Sequence, residues 1–281
     1  MNVDGWLARS PWLAPHLACL FFAAMAICAR LLSALPTSEV MFFRCAIPVV
    51  IYLPMVIRDR SGLADAWSHR HGLFIRGLCG TLSLYFYLVA LRSIPLADAT
   101  VTSNTSPLWA ALAAWLALGE AIPPRLRWAF PLSLVGVALV AGTNDASGPC
   151  SGYLAGLASA ALSGSAYALI RKMRQLAPEI IALAFMGLAA LCSLPFMLPR
   201  YQPPTLLQWK IIAAMGLTGA VGQWFMTVGY RHNSAATAAS LGLASVAVTA
   251  ALGYLILAEQ LGPWQLVGMT MILLGTLTAT R

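Results

Sequence analysis

Continuous apolar stretches dominate this chain and decide what it can become. Ten of them, each about the 20 residues needed to cross a bilayer as a helix, run over 12–34, 38–57, 73–92, 95–118, 126–143, 152–173, 179–198, 209–231, 235–257 and 263–280. The connections are short, the longest being the polar "RDRSGLADAWSHRH", so no soluble domain fits between them. Polar and apolar residues do not alternate within the stretches. That excludes the pattern of a membrane barrel and leaves helices, whose backbone groups are satisfied internally. Composition agrees: 60% of residues are hydrophobic, 9% are charged and mean hydropathy is +0.78, against about a quarter charged in soluble domains. The sequence predicts an all-α membrane protein with ten transmembrane helices.

The net charge of +8 is spread among connections and forms no basic stripe, so no nucleic-acid partner is expected. With the N terminus in the cytoplasm, twelve basic residues sort to the inside: Arg9, Arg58, Arg60, Arg70, Arg76, Arg125, Arg127, Arg171, Lys172, Arg174, Arg231 and Arg281. Five sort to the outside: Arg30, Arg44, Arg92, Arg200 and Lys210. The excess predicts a multi-pass protein of the inner (plasma) membrane with both termini cytoplasmic. Cys19, Cys28, Cys45, Cys79 and Cys192 fall within stretches and Cys150 in a connection, a spacing that suggests neither a disulfide framework nor a metal site. No metal or cofactor is called for. The "AMA" in the first stretch fits a signal-peptide cleavage pattern, but removing that stretch would leave nine spans where the repeat below needs ten.

Sliding the chain against itself by 139 residues aligns 77–136 with 216–275 without a gap, and 16 of the 60 positions are identical. The matches include Gly77/Gly216, Gly80/Gly219, Arg92/Arg231, Ser106/Ser245, Glu120/Glu259 and Pro124/Pro263. Upstream, "EVMFFRCAIPVVIYLP" falls beside "EIIALAFMGLAALCSLP". Each half, 10–145 and 146–281, then holds five spans. An odd number forces the second half to enter the membrane inverted, as in secondary transporters whose central site opens to either side.

Two five-helix repeats, the segment "RGLCGTLSLYFYLVALRSIPLADATVTSNTSPLWAALAAWLALGE" and its degenerate echo "GLTGAVGQWFMTVGYRHNSAATAASLGLASVAVTAALGYLILAEQ" resemble the EamA-type permeases of the drug/metabolite transporter superfamily. Within that family the arginine-glycine start of the third span and "PLADAT" look most like the branch with S-adenosylmethionine uptake carriers and carboxylate or amine permeases. The resemblance implies cytoplasmic termini, a central cavity lined largely by spans 1, 3, 4, 6, 8 and 9, and transport of a small organic solute.

The fourth span carries the polar run "DATVTSNTSP". At helical spacing Asp98, Thr102, Ser106 and Trp109 share a face. Serine and threonine hydroxyls in membrane helices often bond only their own backbone, whereas the amide of Asn104 has no cheap local partner. Pro107 lacks an N–H and frees a carbonyl one turn earlier, predicting a bend at depth. The shift of 139 sets Leu241, Leu243 and Val246 opposite Thr102, Asn104 and Pro107. The fourth span is therefore expected to touch substrate and the ninth to support the fold.

Tyr85 in the third span and its repeat mate Trp224 in the eighth form a pseudo-symmetric aromatic pair, with Gln223 and Thr227 as a nearby hydrogen-bonding patch. Such a pair either clamps an apolar or cationic group or fills core. Arg44, about two turns into the second span, is read as snorkelling, as an ion pair or as a contact to a substrate anion. The candidate substrate-binding set is Tyr85, Thr102, Asn104, Ser106, Trp109, Gln223, Trp224 and Arg44. If transport is proton-coupled, Asp98 and His16 are the places to look.

The expected function is secondary transport of an amino acid, amine, carboxylate or related metabolite by alternating access. Its partners are that solute and the lipid bilayer, with the chain a monomer or homodimer. The alternative is an integral membrane lipid-modifying enzyme, which needs clustered acids, histidines or metal ligands at one interface; the nine acidic residues are scattered. A channel would need a charged filter ring.

Overall fold

The computed structural model describes residues 12–58, 60–95, 99, 102–103, 105–119, 124, 126–141, 149–257 and 262–280. Those residues form helices and turns. In chain order the helices are α1 (Leu13–Leu31), α2 (Thr37–Arg58), α3 (Arg60–Ser68), α4 (Arg70–Ser93), α5 (Ser106–Leu118) and α6 (Leu126–Ala141). The second half follows with α7 (Cys150–Lys172), α8 (Pro178–Met197), α9 (Leu206–His232), α10 (Ala235–Gly242), α11 (Ala244–Leu257) and α12 (Pro263–Thr280).

Local chemistry accounts for several ends. Proline opens α8 and α12, where its missing N–H has no intrahelical partner to lose. A capping box starts α9, with Thr205 Oγ1 accepting from the Gln208 N–H and Gln208 Oε1 accepting from the Thr205 N–H at 2.8 Å. Gly119 ends α5 at φ +66°, a left-handed conformation that a Cβ disfavours.

Among the described residues, six helices are long and apolar enough to cross a membrane: α1, α2, α4, α7, α8 with its 3₁₀ extension to Arg200, and α9. Large apolar side chains such as Val50, Phe74, Leu154 and Leu191 stay exposed on their outer faces, as lipid contact allows. Trp12, Trp128, Trp209 and Trp264 at the expected span ends are likewise exposed, in keeping with interface anchoring. The polar connection after α2 is not all loop: Arg60–Ser68 forms α3, whose Trp67 is exposed with the Arg70 guanidinium 5.4 Å from its ring centre.

The fourth segment departs from the continuous bent helix expected over 95–118. Residues 99 and 102–103 are helical, Thr105 is a turn, and a fresh helix begins at Ser106 with Pro107 in its first turn. The Thr105 N–H donates to the Thr102 carbonyl at 3.3 Å, three residues back. Proline favours this restart because its ring would clash with a carbonyl four residues earlier. The ninth segment breaks as well, between α10 and α11 at Leu243, which the shift of 139 sets opposite Asn104. No proline stands there, so the interruption belongs to the shared scaffold.

Packing between the halves comes in repeat-related pairs. Helix α1 packs on α9 as α4 does on α7, α5 packs on α7 as α11 does on α1, and α2–α8 and α6–α12 pair with themselves under the exchange. Small residues bring the backbones close. A Cβ at Gly164 of α7 would stand 2.6 Å from the Ala110 nitrogen of α5.

Two faces can be told apart. On one, the end of α9 meets the start of α1 through Gly229 and Pro15, and Arg171 at the end of α7 donates to the Arg231 carbonyl at the end of α9. On the other, the ends of α1 and α4 meet the start of α2. There Arg30 donates to the Leu91 carbonyl, Arg92 donates to the Leu35 carbonyl, and Leu32, Leu35, Leu91 and Ile94 are buried in one apolar cluster.

Candidate functional site

A cavity of about 200 Å³ opens among the helices, room for on the order of a dozen waters. It lies towards the first face, bounded by Pro15 at the start of α1, Arg76 in the second turn of α4, and Tyr167 and Tyr230 late in α7 and α9. The clustered leucines and Ile94 lie on the opposite face, beyond the cavity's lining. Its walls come from α1, α4, both broken segments, α7 and α9, with Arg44 of α2 and Phe185 of α8 added.

Two arginines define its electrostatics. Arg76 is 2% exposed, the bulkiest fully buried side chain among the described residues. Its Nε has no hydrogen-bond partner, and its Cζ sits 4.7 Å from the centre of the Phe185 ring. Gly80 makes room for both, since a Cβ there would stand 2.6 Å from the Phe185 ring and collide with the guanidinium. Arg44 is 5% exposed and finds only sulfur: Nε donates to Met25 Sδ at 2.8 Å, and Nη1 lies 3.9 Å from Cys45 Sγ and Met186 Sδ. Thioether and thiol sulfurs are weak acceptors. Among the described residues, the lining contains no acidic side chain.

Around these cations stand neutral polar groups. Ser83 donates to the Ser159 carbonyl oxygen at 3.0 Å and lies 2.6 Å from the Ser163 hydroxyl, tying α4 to α7. The broken segments contribute Ser103 and Ser106 on one side and Ser245 on the other, so the identical pair Ser106/Ser245 meets at one cavity. The Ser103 hydroxyl and the Gln223 side-chain nitrogen are buried without partners. Tyr167 and Tyr230 stack with ring centres 4.7 Å apart and close the wall near the first face.

Of the residues singled out from the sequence, Arg44, Ser106 and Gln223 line this cavity. Thr102 packs against Gly156 of α7 and donates to the Ala99 carbonyl at 3.2 Å. Trp109 lies beside Gly164 and is 41% exposed, and Tyr85 is 47% exposed, edge-on to Phe86. Trp224 donates its indole N–H to Glu179 Oε1 of α8 at 2.7 Å. None of these four lines the cavity. The shared face of Asp98, Thr102, Ser106 and Trp109 assumed an unbroken helix, and the turn at Thr105 changes its phase. His16 lies near the start of α1, its Nδ1 2.8 Å from the Trp12 carbonyl oxygen. Asn104, Asp98, Glu120 and Glu259 lie outside the described residues.

Sequence reasoning missed Arg76 by counting it with the charges of the cytoplasmic connections. The signal was present, because Arg76 lies inside the apolar stretch 73–92 and is followed by Gly77 and Gly80. It also missed Glu39, 0% exposed at the start of α2, with Oε2 accepting from the Gln202 N–H at 3.1 Å and Oε1 unpartnered. The ninth segment, expected to be support, supplies Ala238, Gly242 and Ser245 to the lining.

Known proteins share both sequence and fold with this chain. It is 30% identical over 280 residues to the pseudopaline exporter of Pseudomonas aeruginosa, covering 98% of this chain and 97% of that protein. It is 25% identical over 205 residues to human solute carrier family 35 member G1, covering 67% of this chain and 56% of that protein. A solved crystal structure superposes with a TM-score of 0.79 at 20% identity, covering 96% of both chains, which establishes a shared fold. The sequence pattern of the EamA-like transporter family matches residues 12–142 and again 150–281. This chain, a multi-pass membrane transporter, belongs to the EamA-like transporter family.

Proposed function

We propose that this transporter carries a small organic solute across the inner membrane by alternating access. Its ten membrane helices form two inverted five-helix repeats, 10–145 and 146–281, with both termini cytoplasmic. One observation carries the reading: the cavity draws Ser106 and Ser245, identical under the repeat, from two symmetrically broken segments and lies towards one face only. Discontinuous helices meeting at a midplane site are how such carriers bind solute.

The repeat-related packing of α1–α9 with α4–α7 supports a pseudo-twofold exchange of the halves. Removing the two buried arginines from the charge count leaves eleven basic residues inside and four outside, a bias that still supports cytoplasmic termini. The first face, which carries the starts of α1 and α4, is then the cytoplasmic one, and this conformation faces inward. Kinship with a protein named as an exporter supports export as the direction. The proposed solute contacts are Arg44, Arg76, Ser103, Ser106 and Gln223.

The test is counterflow in liposomes holding the purified chain. Preloading with the cognate solute should drive saturable uptake of the labelled solute, and empty liposomes should show none. Release of a lipid product in place of solute movement would overturn this reading in favour of an enzyme.

A further inference from the structure

Resting on the transport reading, we infer that the solute carries at least two acidic groups, and that Arg44 and Arg76 each receive one of them. Arginine keeps its proton at any working pH, so both charges persist in the buried cavity. An isolated buried charge is strongly unfavourable unless paired. Among the described residues, the Arg44 guanidinium hydrogen-bonds only to sulfur, and Arg76 lies over the Phe185 ring with its Nε unpartnered. Neither has a carboxylate partner among the described residues.

Because the described residues supply neither arginine with a counter-charge, an anion in the cavity completes the arrangement. Guanidinium groups match carboxylates in a two-pronged geometry. The two arginines stand on different helices, α2 and α4, so each can present its guanidinium to a separate acidic group of one solute. The Gln223 amide and Ser103 hydroxyl, both unpartnered, offer further hydrogen bonds to polar substituents. Phe185, Met25 and Met226 flank an intervening carbon skeleton. Amines and other cations meet two like charges here and are excluded.

Thermal stability of the purified chain is measured against glutarate, citrate, the neutral diamide of glutarate, 1,5-diaminopentane, chloride and inorganic phosphate, because a ligand of the folded state raises its apparent stability. Glutarate or citrate should stabilise the native chain, and the diamide and the diamine should not. Arg76→Gln and Arg44→Gln should each weaken that response at least about tenfold, the range for one charge-assisted contact. Arg76→Lys, which keeps the charge, should retain part of it and controls for folding. Stabilisation by the diamine or diamide but not the diacids, equal stabilisation by chloride alone, or a flat response of the native chain to the whole panel would overturn the proposal. Liposome counterflow separates the two readings. A neutral or cationic solute that is transported leaves the carrier standing and removes the diacid, whereas a diacid that binds without crossing does the reverse.

Discussion

At the scale of single residues, the cavity depends on what its neighbours omit. Gly80 has no side chain where Arg76 and Phe185 meet. Gly80→Ala overpacks that contact, with an expected loss of about 1–3 kcal/mol, readable by thermal unfolding in detergent, together with weaker solute binding as the guanidinium is displaced. Ser103 makes the opposite case. Its buried hydroxyl has no partner, so Ser103→Ala leaves stability unchanged or slightly higher while lowering solute affinity. A drop in stability with unchanged affinity would assign the hydroxyl to the fold. Residue roles were only partly legible in the sequence. Arg44 and Gln223 stood out as polar groups inside apolar stretches, but Arg76 sits near a span end, where one turn separates a lipid-surface charge from a buried one. Trp224 looked like half of an aromatic clamp, and its tie to Glu179 depends on an α8–α9 contact that no local pattern encodes.

At the scale of elements, apolar length placed most helices within a few residues, and the breaks were the part that it could not place. Pro107 announced an interruption in the fourth segment, yet the matching break at Leu243 has no proline to announce it. The helix restarts in both copies because the scaffold requires it. Pro107→Ala is therefore expected to keep the break and near-native counterflow; abolished transport would show that the proline itself holds the segment open. The identical pair Ser106/Ser245 stands just after both breaks, but the repeat comparison takes it only as a match and gives more weight to the positions that differ.

At the scale of the whole molecule, one end is shut by side chains that grip backbone. Arg30 and Arg92 tie the ends of α1 and α4 to each other and to the α1–α2 connection, over a buried apolar cluster. Arg92→Gln removes one of these ties. On the proposed reading it should shift the population away from an inward-facing state and lower the apparent affinity for solute offered from the first face. An unchanged affinity would show that the apolar cluster closes that end unaided.

The buried charges of Arg44 and Arg76 also have an electrical consequence. Moving one elementary charge across the full membrane potential is worth about 2.3 kcal/mol per 100 mV. On the proposed reading, a bound dianion neutralises the site, so one-for-one exchange ignores voltage. Net flux, in which the site returns empty, moves two charges per cycle. Potassium gradients with valinomycin across solute-loaded liposomes should alter net efflux and leave exchange rates unchanged. A membrane that is negative inside would then expel the solute without any coupled ion.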